Sequence, residues 1–254
     1  MYRIYQLIKN MTYHHLSVLV HRQAEKYGDK IALKYRDYEI SQWIPITWNE
    51  FSRTVRQVAN ALVALGVEEQ RNIGIFSQNK PECLFTDFGA FANRLVTIPL
   101  YATSSPAQAQ YIINDAQIRF LFVGEQFQYD AAFSVFGFCQ SLQKLIIFDR
   151  SVVRDPRDKT SIYFDEFLAM GKDLPYNDVV EERMARASDD DLANILYTSG
   201  TTGEPKGVML HHFNYREAIR IHDIRLPFMT DKDVSMNFLP LTHVFEKAWC
   251  YLCI

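Results

Sequence analysis

The sequence is short of most features that would announce a special environment. It has no excess of one charge: 27 Lys and Arg stand against 30 Asp and Glu in 254 residues, a net charge of -3. With neither a basic stripe nor a basic tail, a nucleic-acid partner is not expected. No apolar run approaches the ~18 residues that cross a bilayer, and the opening MYRIYQLIKNMTYHH lacks the sustained apolar core of a secretory leader. Cysteine is scarce, and Cys83, Cys139, Cys250 and Cys253 have no framework spacing, which suits a reducing cytoplasm. Cys250 and Cys253 read C-x-x-C, but no second Cys or His pair completes a zinc set. They lie in the apolar run AWCYLCI and are expected as two buried thiols on one helix face. The dinucleotide fingerprint G-x-G-x-x-G is absent, and no internal repeat is found.

What is present is an average soluble composition, 48% hydrophobic and 22% charged, in a chain long enough to bury a core. The 14% aromatic content, including 18 Phe, is accounted for by core packing. Strand-like and helix-like segments alternate. A helix is predicted over Leu16 to Tyr27, then two strands around KIALKYR and QWIPI. Thr47 with Glu50 forms a capping box for the helix FSRTVRQVANALVALG, and Gly66 suits its left-handed end. NIGIFSQ reads as a buried strand, after which Asn79 is the expected N-cap of a second helix, with Pro81 in the first turn and Glu82 at the box position. LVTIPL, IRFLFVG and KLIIFD are further strands, and Pro106 opens a helix through Asn114. This alternation predicts βαβ units and an α/β fold with a mainly parallel sheet flanked by helices.

From Arg150 to Asp191 the composition turns polar. This stretch is expected as surface loops around one short helix near FDEFLAM, and as the junction between a first subdomain, 1–187, and the start of a second, 188–254. Beyond it come the strand LANILYT, a loop, the strand GVML, a helix from about His212 or Asn214, and a strand DVSMNFL.

The loop is the most informative stretch. YTSGTTGEPKG, Tyr197 to Gly207, combines Gly200, Gly203 and Gly207 with the hydroxyls of Thr198, Ser199, Thr201 and Thr202. Glycine permits positive φ and close approach of backbone to a ligand. Successive N–H groups make an anion-binding concavity, and Lys206 adds a point charge suited to phosphate. Pro205 stiffens the approach to that lysine. The Walker loop needs Gly before its Lys and Ser or Thr after it, whereas Lys206 lies between Pro205 and Gly207.

This loop closely resembles the phosphate-binding signature of the adenylate-forming superfamily, which includes acyl-CoA synthetases, adenylation domains and luciferases. KGVMLHHFN resembles the family's continuation, with His212 and Asn214 at matching places and His211 and Phe213 departing. NFLPLTHVFE, Asn237 to Glu246, and IPLYATSSPAQAQYIINDA resemble the long-chain fatty acid–CoA ligases. The likeness runs from about Leu16 to the end. GVEEQRN departs from the usual Gly-Asp-Arg turn, and Asn93 and Arg94 stand where small residues are usual.

The resemblance implies the front half of the adenylate-forming N-terminal domain, incomplete here. The implied reaction is ATP-dependent activation of a fatty acid to an acyl-adenylate, then thioester formation with coenzyme A. Thr198 is implied as a magnesium contact, and Ser199, Gly200, Thr201, Thr202, Gly203 and Lys206 as the grip on the ATP phosphates. His243 is implied as the catalytic residue near the α-phosphate and the acid; a helix cap after Pro240 is its structural alternative. Glu246 is explained equally well as a first-turn carboxylate, and His14, His15 and His211 carry no assigned role. The family's adenine, ribose and hinge motifs would fall beyond residue 254. The expectation is therefore an N-terminal fragment with a half-built ATP site and little turnover alone. An acyl-carrier-protein or aryl-CoA ligase, and a non-catalytic anion-binding module, remain as alternatives. Peripheral membrane association and oligomeric state stay open.

Overall fold

The computed structural model describes residues 14–38, 40–172, 177–198 and 204–254. Helix α1, Leu16–Tyr27, leads into the antiparallel pair β1, Ile31–Asp37, and β2, Gln42–Thr47. Helix α2, Trp48–Ala64, starts at the expected capping box: Thr47 accepts from Glu50 N–H, and the Glu50 carboxylate accepts from Thr47 N–H at 2.8 Å. Gly66 takes a φ of 71° just past its end, as a left-handed terminus requires. The inward face of α2 buries Phe51, Val55, Val58 and Leu62, each contributing roughly 1.5–3 kcal/mol of apolar transfer.

A seven-stranded sheet follows, with spatial order β7-β6-β5-β3-β4-β8-β9. Its strands are β3 Asn72–Phe76, β4 Val96–Leu100, β5 Phe120–Val123, β6 Lys144–Ile147, β7 Ile162–Tyr163, β8 Leu192–Thr198 and β9 Lys206–His211. All neighbours are parallel except β8 and β9. The parallel sheet flanked by helices agrees with the sequence reading. Alternation along the strands divides the core. Ile73, Ile75, Phe120 and Phe122 face α1, α2 and α3, Pro81–Ala92, whereas Ile98, Leu121, Val123 and Ile147 face α4, Pro106–Asp115, and α5, Gln126–Val135. The chain therefore winds both ways from β3, which brings the carboxyl ends of β3, β4, β5 and β8 to one edge, where open α/β sheets hold ligands.

Several expectations are corrected. The 150–191 stretch is not loops around one helix. It contains β7, α6 at Phe164–Ala169 and a second helix, α7, at Asp178–Ala185, capped by Asn177. DVSMNFL is not a strand; the chain between α8, His212–Arg225, and α9, Val244–Cys253, runs irregularly. A strand needs a ladder partner, and among the described residues none pairs with it, so Val234, Met236 and Phe238 stand exposed. Cys250 is buried but Cys253 is exposed, because α9 turns only the Glu246, Lys247, Cys250 and Tyr251 side inward.

The two departures from the family pattern meet in space. Gln70 and Arg94 both adopt positive φ, 55° each. The Gln70 amide donates to Arg94 O at 2.7 Å and accepts from Leu192 N–H at 2.9 Å. Arg94 grips Asp191 with two bonds, 2.7 and 2.8 Å, and Glu69 with a third, 2.5 Å. Burial raises the Asp191 pKa, but the bonds from Arg94 and from Ser188 N–H hold it below its ordinary value. Planar bidentate pairing of this kind is strong and directional. It fixes the entry to β8.

Burial depresses the pKa of three histidines, two of them, His15 and His212, close enough to Asp191 to feel its charge. Burial lowers His15, takes His21 to about 4 with help from the Arg56 charge, and places His212 well below its ordinary value. The rings of His15 and His212 are 4.0 Å apart. A depressed folded pKa means the unfolded chain binds more protons, so this stability is complete above pH ~6.5 and is lost as pH falls toward the folded values. Burial raises Glu82 and Glu246, which act in the opposite sense at lower pH. The urea midpoint is expected to fall between pH 7.5 and 5.5, with a shallower fall in His212→Phe. An equal slope in the two proteins would count against it.

Candidate phosphate-binding site

Strands β8 and β9 form a hairpin whose final registered pair is Thr198 with Lys206. Both side chains are exposed at the carboxyl edge of the sheet. A residue with a hydroxyl and one with an ammonium thus flank the base of the loop. Ser199, Gly200, Thr201, Thr202 and Gly203 lie outside the described residues. The strand before the loop is held from below. Tyr197 is buried, and its hydroxyl donates to Asp115 at the end of α4 at 2.5 Å. Burial and the Asp115 carboxylate both raise that phenol's pKa.

Gly207 plays a different part from the one expected of it. It lies in β9, where an added Cβ would meet Ile195 Cγ2 at 2.7 Å and the Tyr197 ring at 3.2 Å. Its missing side chain makes room for the tyrosine ring paired with it across the hairpin. Gly207→Ala should therefore cost roughly 1–3 kcal/mol of overpacking in a chemical denaturation curve. A neutral result would mean the ring has space to move.

The second limb carries His243. This residue is the N-cap of α9, its Nδ1 accepting from Phe245 N–H at 3.4 Å, with the ring exposed. The helix-cap role is thus real. An accepting Nδ1 puts the neutral ring's proton on Nε2, leaving a donor. Glu246 is buried, and one of its oxygens has no partner among the described residues.

Asn79 corrects another expectation. Lys80 is the N-cap of α3, without a side-chain bond. The Asn79 amide instead donates to Leu239 O at 2.7 Å and accepts from Leu241 N–H at 3.1 Å. One side chain three residues past β3 therefore pins LPLTH to the same edge where Thr198 ends β8. A polar residue before Pro81 reads as a cap from sequence alone, and nothing local signals the remote partner. Asn79→Ala should remove two hydrogen bonds to the backbone, cost roughly 0.5–1.5 kcal/mol, and speed proteolysis between 226 and 243. An unchanged cleavage rate there would refute the clamp.

Among the described residues no cluster of three His, Cys, Asp or Glu could hold a metal. The Thr198 hydroxyl is an oxygen donor of the type that suits a hard cation such as magnesium. The donor types present fit the terminal phosphates of a nucleotide.

The AMP-binding enzyme family model matches residues 20–254. The chain belongs to this family. This AMP-binding chain is 31% identical over 248 residues to long-chain-fatty-acid–CoA ligase ACSBG1 of Homo sapiens, covering 92% of this chain and 33% of that protein. It is 27% identical over 237 residues to long chain acyl-CoA synthetase 4 of Arabidopsis thaliana, covering 88% and 34%. In fold it is similar to the crystal structure of a long-chain-fatty-acid-CoA ligase from Archaeoglobus fulgidus, with a TM-score of 0.76 at 20% identity over 95% of this chain and 46% of that one. An anthranilate CoA ligase solved with anthranoyl-AMP has a TM-score of 0.63 at 21% identity, covering 84% and 38%. The chain spans about a third of the length of the curated relatives it matches. Among the described residues no helix is long and apolar enough to cross a membrane.

Proposed function

We propose that this chain carries the phosphate-gripping part of an ATP-dependent ligase that joins a long-chain fatty acid to coenzyme A. The observation that carries the reading is the Thr198–Lys206 pair at the base of the glycine and hydroxyl loop, on the ligand edge of the sheet. The relatives' names supply the acid and the thiol. In this reading residues 188–254 begin a second subdomain.

The chemical difficulty is that a carboxylate must attack the α-phosphate, and both are anionic. Fixed donors and cations aimed at that charge lower the barrier without reorganising during reaction. Lys206 and the loop hydroxyls at Ser199, Thr201 and Thr202, with the backbone at Gly200 and Gly203, would hold the β- and γ-phosphates that leave as pyrophosphate. Thr198 would contact magnesium. His243, with a protonated Nε2, would donate to the α-phosphate or the acid. The ion supplies charge neutralisation when bound; positioning is the work of the chain.

The test has two parts. Titration calorimetry with magnesium tripolyphosphate should give weak binding that Lys206→Ala reduces at least about tenfold; no binding by the folded wild-type chain would overturn the phosphate reading. Acid-dependent ATP–pyrophosphate exchange should be absent or very low for this chain alone. Strong exchange with a long-chain acid would show that these residues suffice, and exchange with an aromatic acid would reassign the substrate.

A further inference from the structure

A buried charge lies where none is needed for cohesion. Asp87 on α3 and Lys247 on α9 are 0% and 1% exposed, and their ion pair measures 2.8 Å. The Tyr251 hydroxyl donates to the same carboxylate oxygen at 2.9 Å. The other oxygen accepts from the Thr97 hydroxyl on β4 at 2.6 Å, and Thr97 in turn accepts from the Asn194 amide on β8 at 2.5 Å. Each donor points toward Asp87, so one polarised chain runs through α9, α3, β4 and β8.

Burying such a pair costs several kcal/mol per ion before the attraction is counted, and apolar side chains of like volume hold helices at least as well. Stability alone does not account for it. Its ends do bear on the site. Lys247 is one helical turn, about 6 Å, from His243, with its N–H bonded to His243 O at 3.1 Å. Asn194 lies four residues, about 13 Å, before Thr198 on β8.

We infer that Asp87 is a positioning residue: through Thr97 and Asn194 on one side and Lys247 and Tyr251 on the other, it sets the helix carrying His243 against the strand carrying the phosphate loop. The inference rests on the proposed function for its purpose, but the linkage itself is measurable without a ligand. Asp87 touches no substrate; it fixes the distance between groups that would.

The test uses this chain labelled with nitrogen-15. Thr97→Val keeps the shape and breaks the link between Asp87 and Asn194. It should shift the amide resonances and raise hydrogen exchange at least about fivefold in two remote places together, the β8–β9 hairpin at 206–208 and α9 at 244–248. Thr97→Ser, which keeps the hydroxyl, should restore both. Ile113→Val, in the opposite core layer, controls for general loosening and should not pair the two regions. Should Thr97→Val fail to fold, Tyr251→Phe and the neutral double variant Asp87→Asn/Lys247→Met give the same readout. Changes confined to one region, or a response in Thr97→Ser equal to that in Thr97→Val, would overturn the inference. A wild-type chain that shows the coupled response but binds no tripolyphosphate would count against the proposed function and leave the linkage standing.

Discussion

The Asn194 side chain meeting Thr97 inside the sheet is the contact on which the rest of the arrangement turns. β8 joins the parallel sheet through a single registered pair, Thr97 with Asn194. The hairpin and α8 follow directly from that junction. Nonpolar residues there would pack as well, but the register would then rest on the strand's apolar alternation and on the ties at its two ends. A buried amide facing a buried hydroxyl has one good alignment, and a slip leaves both unsatisfied. Direction is thereby imposed on a strand that has only one parallel neighbour.

Two further constraints act on the same strand. At its start, Arg94 and Gln70 hold Asp191 and Leu192; at its end, Asp115 holds Tyr197. β8 is therefore tied at both ends and in the middle, each time by a polar group from a different element. That frame fixes where Thr198 and Lys206, the residues on either side of the loop, stand.

The helices with strong local signals were legible from sequence. Thr47 and Glu50 meet within four residues, and Pro106 carries its own φ, so neither needs the fold to declare itself. The buried parallel strands were legible as short apolar runs. What escaped were the long-range uses of polar side chains. Asn79 has the chemistry of a cap and is spent on a segment 160 residues away. Lys247 and Asp87 are ordinary surface types, and only tertiary packing reveals that they are buried together. DVSMNFL has the alternation of a strand, but pairing is a property of two segments, not one. The site's residue types were legible in the loop, and the Thr198–Lys206 pairing follows from the hairpin. The tie between Leu239, Leu241 and that edge runs through Asn79, which no local pattern exposes.

Arg94 has a consequence for how this sequence can change. A residue held at a φ of 55° would ordinarily be replaced by glycine with relief of backbone strain. Here that step removes the partner of Asp191 and Glu69 at once, leaving Glu69 to Arg183 and Arg186 and the buried Asp191 without its guanidinium. Asn93 adds a further tie, accepting from Arg183. Residues 69, 70, 93, 94, 183, 186 and 191 consequently form one block of contacts drawn from parts of the chain far apart in sequence. Recombination between this sequence and a relative bearing small residues at 93 and 94 would succeed with crossovers that move the whole block, and fail with those that split it.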